Sequence, residues 1–187
     1  MADQGDEGAE RVLRSERVFD GRLLKLRVDR VALPSGRETT REVVEHPGAV
    51  AIVPLLDDGR AVLVRQYRHA VGRALLEIPA GTLDQPGESV EAAAARELAE
   101  ETGYTAARFE RLAAFYPAPG FATEHMTLFL ATGLTEGDQG VMEDEEITVE
   151  LVPLDEVPER LARGDFSDAK TLAGLLLARE RLQRPAR

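Results

Sequence analysis

Apolar residues occur in short runs separated by turn-forming residues, a pattern that predicts a protein built largely on β-strands. Near the amino terminus, two such runs flank a Pro-Ser-Gly turn. Further along, a β-branched run is followed by Asp-Asp-Gly and by a second apolar run. The predicted strands cover residues 23–31, 39–45, 49–56, 61–66, 111–115, 127–131 and 147–153.

Two segments are predicted to be helices. Residues 89–102 are rich in Ala, Glu, Arg and Leu, and Gly103 follows them as a helix-terminating residue. Residues 167–182 carry leucines at helical spacing. Residues 132–146 are acidic and rich in glycine, which predicts a long mobile loop. Because strands and helices mix along the chain without repeats, the sequence predicts an α/β (α+β) fold.

The chain divides by composition into three parts. Residues 1–17 are acidic and polar, and we expect a flexible tail there. Residues 18–45 hold the first two predicted strands and are expected to form a small antiparallel sheet. A His-Pro-Gly sequence interrupts the pattern after that sheet, and the main domain is expected to occupy residues 46–187.

Composition and charge exclude several classes of function. The 187 residues are 43% apolar and 30% charged, as in ordinary globular proteins, and the net charge of −11 disfavours a nucleic-acid partner. The absence of cysteine excludes disulfide frameworks, zinc–thiolate sites and thiol nucleophiles. The sequence has neither a signal-peptide pattern nor a membrane-spanning apolar run, so we expect a cytoplasmic protein without a membrane partner.

Carboxylates concentrate on the first predicted helix. Glu97 and Glu101 lie four residues apart on one helix face, with Glu100 beside them. Such a cluster is compatible with an ordinary solvated face, where the repulsion is small. It is equally compatible with a magnesium or manganese site, because these ions prefer oxygen ligands.

The surroundings of these carboxylates resemble the Nudix box, a loop–helix–loop motif of pattern GX5EX7REUXEEXGU. The matching positions are Gly81, Glu88, Arg96, Glu97, Leu98, Glu100, Glu101 and Gly103. The chain departs from the pattern by one extra residue between Gly81 and Glu88, and by Tyr104 at the final aliphatic position. The extra residue falls in the loop, where added length costs little, so it leaves the helix spacing intact.

The resemblance implies a Nudix α/β/α sandwich with a mixed sheet and a metal-dependent hydrolase. It implies Glu97 and Glu101 as the principal ligands of Mg²⁺, with Mn²⁺ as an alternative. Glu100 and Arg96 would belong to the same catalytic set, and the backbone carbonyl of Ala80 would be a further ligand. Glu88 and Gly81 would not bind the metal but would help to place its ligands. An arginine held by a carboxylate such as Glu88 fixes the direction of its other partners.

The acidic residues 143–146 stand where similar enzymes carry a proton acceptor and an additional metal ligand. Glu143 is the candidate base and Glu145 the candidate ligand. Asp144 or Glu146 could exchange roles with them.

Residues outside the box resemble the ADP-ribose pyrophosphatase and nucleoside diphosphate sugar hydrolase branch. Pro119 follows Tyr104 by 15 residues in a Tyr-Pro-Ala-Pro-Gly segment, as in that branch. This resemblance implies hydrolysis of ADP-ribose to AMP and ribose 5-phosphate. The alternatives are a broader hydrolase of GDP- or UDP-sugars and a non-catalytic sensor that binds ADP-ribose.

Basic and aromatic residues supply candidates for binding a nucleotide sugar. Arginine binds phosphate bidentately, and the resemblance implies Arg41 and Arg68 as the candidates for the diphosphate or terminal ribose, because they occupy places that bind these groups in similar enzymes. Glu124 is the candidate for ligand hydroxyls or the base, and Phe19 for stacking on the base, with Arg22 and Phe121 as rivals. The resemblance also implies a homodimer through residues 18–45.

Overall fold

The computed structural model describes residues 8–138, 140 and 146–183, and it divides them into two compact units. One unit comprises residues 8–47 and Ala118–His125. The other comprises Gly48–Pro117 and the described residues from Met126 onward.

The first unit is a three-stranded antiparallel sheet. Its strands are β1 (Arg11–Asp20), β2 (Lys25–Ala32) and β3 (Glu38–Glu45), in the order β1-β2-β3. β2 and β3 lie where two strands were predicted. β1 begins at Arg11, so residues 11–17 belong to the sheet rather than to the predicted tail. Every side chain of β1 is exposed, so polar residues are tolerated along the strand. Its sequence therefore lacks the hydrophobic pattern from which strands are predicted.

The second unit contains two further sheets. Its strands are β4 (Ala49–Pro54), β5 (Arg60–Arg68), β6 (Arg73–Glu77), β7 (Ala80–Thr82), β8 (Tyr104–Phe115), β9 (Met126–Glu136) and β10 (Ile147–Pro153). One sheet has the order β7-β4-β9-β8 and is mixed, because β4 runs parallel to β9 and antiparallel to β7. The other is antiparallel, with the order β10-β5-β6.

Three helices occur among the described residues of this unit: α1 (Val90–Thr102), α2 (Val157–Arg163) and α3 (Ala169–Gln183). β4 is buried along its whole length because both of its faces are covered. Its residues alternate between a core shared with α3, which contains Val53 and Leu175, and a core shared with α1, which contains Ile52 and Leu98. The predicted α/β sandwich with a mixed sheet and a separate amino-terminal sheet is confirmed.

Some predicted boundaries differ from the structure. β9 continues to Glu136, so the first five residues of the predicted loop 132–146 extend a strand. β8 begins at Tyr104, earlier than predicted, because four of its first eight residues are exposed and its first part shows no apolar run. The short elements β6, β7 and α2 were not predicted. No helix within the described ranges is long and apolar enough to cross a membrane.

Candidate active site

Helix α1 is the platform for the box carboxylates. Ser89 caps its first turn by accepting a hydrogen bond of 3.1 Å from the backbone N–H of Ala92. Gly103 ends the helix in the left-handed conformation (φ 77°), which glycine adopts without steric cost. Ala94 and Leu98 are fully buried, so the helix is anchored to the sheet and its carboxylate face is held in a fixed direction.

Arg96 organises three of these carboxylates. Its Nε and Nη2 donate hydrogen bonds to the two oxygens of Glu88, at 3.0 and 3.1 Å. Its Nη1 donates to Glu97 Oε1 at 2.7 Å and to Glu100 Oε2 at 2.9 Å. The bidentate bond to Glu88 raises the pKa of Arg96 and lowers that of Glu88. One guanidinium therefore fixes the directions of three acidic side chains.

The loop before α1 meets the carboxylates through Ala80 and Gly81. A Cβ atom on Gly81 would overlap the carboxyl group of Glu97, so only glycine leaves room for that group in its observed position. The backbone N–H of Ala80 donates to Glu101 Oε2 at 3.2 Å. Strand β7 thus places Ala80, whose backbone carbonyl is a candidate metal ligand, next to Glu97 and Glu101 of α1.

These residues suit a divalent cation by their chemistry. Carboxylates and a backbone carbonyl are the hard oxygen donors that Mg²⁺ and Mn²⁺ prefer, and Gly81 keeps a space that a side chain would fill. Burial raises the pKa of Glu97 above its ordinary value, in spite of the neighbouring Arg96. Within residues 8–138, 140 and 146–183, no three Asp, Glu or His side chains are grouped so that they could hold a metal ion as they stand. The candidates Glu143 and Glu145 lie outside the described residues, as does Asp144.

Arg68 is held in a buried ionic network that the sequence did not predict. Its Nε and Nη2 donate to the two oxygens of Glu77, at 3.0 and 2.8 Å, and Lys170 also donates to Glu77. Burial pushes the pKa of Glu77 upward, but the hydrogen bonds from Arg68 and the charge of Lys170 outweigh it, so the pKa lies below its ordinary value. The sequence held one signal of this network: Glu77 lies inside the otherwise apolar run Leu-Leu-Glu-Ile, where a charged residue needs a partner.

The first unit carries the other predicted substrate residues. Arg41 on β3 forms an ion pair with Glu10 and donates to the backbone carbonyl of Thr40 at 3.1 Å. Phe19 on β1 is 57% exposed. An exposed ring is compatible with the predicted stacking role, and it is not a core residue of the described sheet.

The segment that carries Pro119 and Glu124 is fastened to the end of β3. The N–H of Val44 donates to the carbonyl of Phe121 at 2.7 Å, and the N–H of Thr123 donates to the carbonyl of Val44 at 3.0 Å. The hydroxyl of Thr123 accepts from the N–H of His46 at 2.9 Å. This short parallel pairing gives the segment a defined backbone next to the sheet.

Family models match the two parts of the chain separately. Residues 45–175 match the NUDIX domain. Residues 10–44 match the nucleoside diphosphate sugar hydrolase N-terminal domain. The second match begins close to the observed start of β1.

Known proteins resemble the chain over most of its length. It is 42% identical to the ADP-ribose pyrophosphatase of Bacillus subtilis (strain 168), over 87% of this chain and 88% of that protein. It is 41% identical to the methanol dehydrogenase activator of Bacillus methanolicus, over 87% and 89%. The crystal structure of an ADP compounds hydrolase superposes with a TM-score of 0.82 at 31% identity, over 93% of this chain and 94% of that one. Nudix hydrolases generally use divalent metal ions, which agrees with the oxygen donors gathered on α1 and β7. The box geometry, the domain match and these relatives together show that the chain belongs to the Nudix hydrolase family.

Proposed function

We propose that the chain hydrolyses the diphosphate bond of ADP-ribose and releases AMP and ribose 5-phosphate. The observation that carries the proposal is the carboxylate cluster held by Arg96 and fitted against Gly81. It occurs in a chain 42% identical to a protein named for this activity. In the reaction, water forms a bond to one phosphorus, the bridging P–O bond breaks, and the water proton passes to a base.

The proposed cofactor is Mg²⁺, with Mn²⁺ as an alternative. Glu97, Glu101 and the carbonyl of Ala80 would hold it, together with Glu100 and, from the acidic segment, Glu145. A cation of this kind makes bound water more acidic and neutralises charge on the diphosphate. Arg96 supports this role by keeping Glu97 and Glu100 in place.

Proton transfer is assigned to Glu143. A positioned proton acceptor contributes about 10²–10⁴ in rate, so the choice is open to direct test. Because Glu136, at the end of β9, is exposed and has no assigned role, Glu136→Gln serves as a matched control for Glu143→Gln.

Substrate binding is assigned to Arg68 and Arg41 for the diphosphate and terminal ribose. Arg68 uses two nitrogens on Glu77, which orients its guanidinium as a fixed phosphate-binding group. Glu124 and Phe19 are proposed to contact the nucleoside, with Pro119 shaping the turn before Glu124. The hydrogen bonds of Thr123 support this assignment by fixing the backbone next to Glu124.

The amino-terminal sheet is proposed to form a homodimer, with residues 18–45 at its centre and residues 46–187 as the hydrolase domain. Every side chain of β1 is exposed in the single chain, including the apolar side chains of Val12, Val18 and Phe19, which are therefore available to an interface. Light scattering of the wild type and of a Val18→Glu variant tests this: a dimer that dissociates in the variant supports it, and a monomeric wild type refutes it.

A cytoplasmic location and a small-molecule substrate complete the proposal. The net charge of −11 opposes a nucleic-acid partner. The second candidate function is a nucleotide-binding regulator, because one relative is named as an activator of another enzyme.

The deciding experiment is phosphate release in a coupled phosphatase assay, with and without Mg²⁺. ADP-ribose, GDP-mannose, UDP-glucose and NADH are compared at equal concentration. Metal-dependent turnover that is strongest on ADP-ribose supports the proposal. A preference for a GDP- or UDP-sugar refutes ADP-ribose as the substrate. Absence of turnover together with tight ADP-ribose binding favours the regulator. Glu97→Gln is expected to abolish turnover, while Glu91→Gln, an exposed change on the same helix, is expected to leave it intact.

A further inference from the structure

The first turn of α3 is tied to the ionic network around Glu77. The carbonyl of Asp168 accepts from the N–H of Leu172 at 3.1 Å, and its Oδ2 accepts from the N–H of Thr171 at 3.0 Å, which makes Asp168 the N-cap of the helix. The same Oδ2 accepts from Lys170 Nζ at 2.9 Å and from the Thr171 hydroxyl at 2.6 Å. The cap therefore fixes the ammonium group of Lys170.

Lys170 then acts on Glu77, 93 residues earlier in the chain. Its ammonium group donates to Oε2 of Glu77, the oxygen that also accepts from Arg68 Nη2. Glu77 is 2% exposed and Lys170 is 11% exposed, whereas Arg68 is 37% exposed. Two cations thus share one buried carboxylate, and only Arg68 reaches solvent to a large extent.

The network adjoins the box. Glu77 ends β6, and only Ile78 and Pro79 separate it from Ala80, so the two residues lie within about 11 Å of each other along the chain. The N–H of Ile78 donates to the Thr171 hydroxyl at 3.0 Å, which fastens this short connection to α3 as well. Glu101 is among the negative charges that raise the pKa of Arg68, after the larger effect of Glu77.

We propose that Lys170 is a positioning residue for substrate binding, which sets the orientation of Arg68 through the carboxylate of Glu77. Among the residues that the structure describes, Nη1 of Arg68 has no hydrogen-bond partner and is free to contact a phosphate oxygen. With Lys170 in place, the Glu77 carboxylate is held from two sides and cannot rotate with Arg68. Without it, carboxylate and guanidinium turn together, and the phosphate-binding nitrogen loses its fixed direction.

This inference rests on the proposed function, and the kinetic test is a double-mutant cycle. Lys170→Met is expected to raise the KM for ADP-ribose about tenfold with a smaller change in kcat, because Arg68 binds the diphosphate before and during the reaction. Lys170→Arg is expected to restore KM to within about threefold. In an Arg68→Ala background, Lys170→Met is expected to change KM no further, since the residue that it positions is gone.

Arg73→Met is the matched control. Arg73 also links β6 to the start of α3, through a hydrogen bond of 3.0 Å to Ser167, but it does not touch Glu77. A general loosening of α3 would raise KM in this variant as well. An unchanged KM in Arg73→Met, beside a raised KM in Lys170→Met, supports a specific action on Arg68.

A second measurement is independent of substrate and of folding yield. The Nε–H group of Arg68 is expected to exchange slowly with solvent in ¹⁵N-labelled wild type, faster in Lys170→Met, and slowly again in Lys170→Arg. If the exchange rate is unchanged by Lys170→Met, or if Lys170→Met raises KM equally with and without Arg68, the inference is overturned. If the exchange rates follow the expectation while ADP-ribose is not hydrolysed, the proposed function fails and the positioning role stands.

Discussion

Replacing Gly81 with alanine tests the contact on which the box geometry depends. Gly81 does not have a positive φ, so the backbone accepts alanine, and the whole effect comes from the new Cβ atom meeting the carboxyl group of Glu97. Glu97 must then leave its position and lose its hydrogen bond of 2.7 Å to Arg96. The perturbation is therefore confined to one side chain and its partner.

The expected cost follows from three terms. Overpacking costs about 1–3 kcal/mol, and loss of a hydrogen bond between charged groups costs about 1.5–3 kcal/mol. The lower backbone entropy of alanine in the unfolded chain returns about 0.4–1 kcal/mol. Gly81→Ala is thus expected to lower the free energy of unfolding by about 2–5 kcal/mol, and to reduce Mg²⁺-dependent turnover by about 100-fold or more because a ligand is displaced.

Urea unfolding in EDTA measures the stability, and phosphate release measures the turnover. Gly120→Ala is the control, because a Cβ atom there has nothing within 4 Å and its φ is not positive. Glu97→Asp in the Gly81→Ala background withdraws the carboxyl group by one methylene and is expected to recover stability but not activity. Gly81→Ala with the stability and turnover of Gly120→Ala would refute the reasoning.

The remaining predictions concern a buried leucine, a buried carboxylate and an exposed, hydrogen-bonded threonine. Leu98→Ala is expected to lower the free energy of unfolding by about 2–5 kcal/mol in urea titrations, because Leu98 is fully buried under α1, whereas Leu98→Met should cost less than about 1.5 kcal/mol. The pKa of Glu77 is lowered in the folded protein, so its contribution to stability is present above its ordinary value of 4.5 and is lost as the pH falls below it. Glu77→Gln should therefore destabilise the protein more at pH 6 than at pH 3 in thermal unfolding, and an equal loss at both pH values would contradict this. Thr123→Val is expected to raise the KM for ADP-ribose and to cost about 1 kcal/mol, because the N–H of His46 loses its acceptor; an unchanged KM would separate Thr123 from substrate binding.

Sequence alone was enough to predict features that depend on neighbours in the chain. The helix over residues 89–102, the terminating Gly103 and the helical spacing of Glu97, Glu100 and Glu101 lie within about four turns, so propensity and periodicity specify them. β4 was predictable for the same reason, since a strand buried on both faces is apolar throughout. The family resemblance rested on these local spacings.

Features that depend on residues far apart in the chain required the tertiary structure. β1 was not predicted because its exposed residues show no alternation of apolar and polar positions. It is a strand because its backbone pairs with β2, and this pairing leaves no hydrophobic pattern in the sequence. Nothing in the sequence showed that Arg68 is anchored by Glu77, or that Lys170, 93 residues later than Glu77, shares the same carboxylate.

The contact of Gly81 with Glu97 has the same origin. Both residues belong to the box, but their approach depends on the place where β7 joins the sheet beside β4, and hence on the packing of α1 against that sheet. Periodicity determines which side chains share a helix face. Register and packing, which act across the whole chain, decide what those side chains meet.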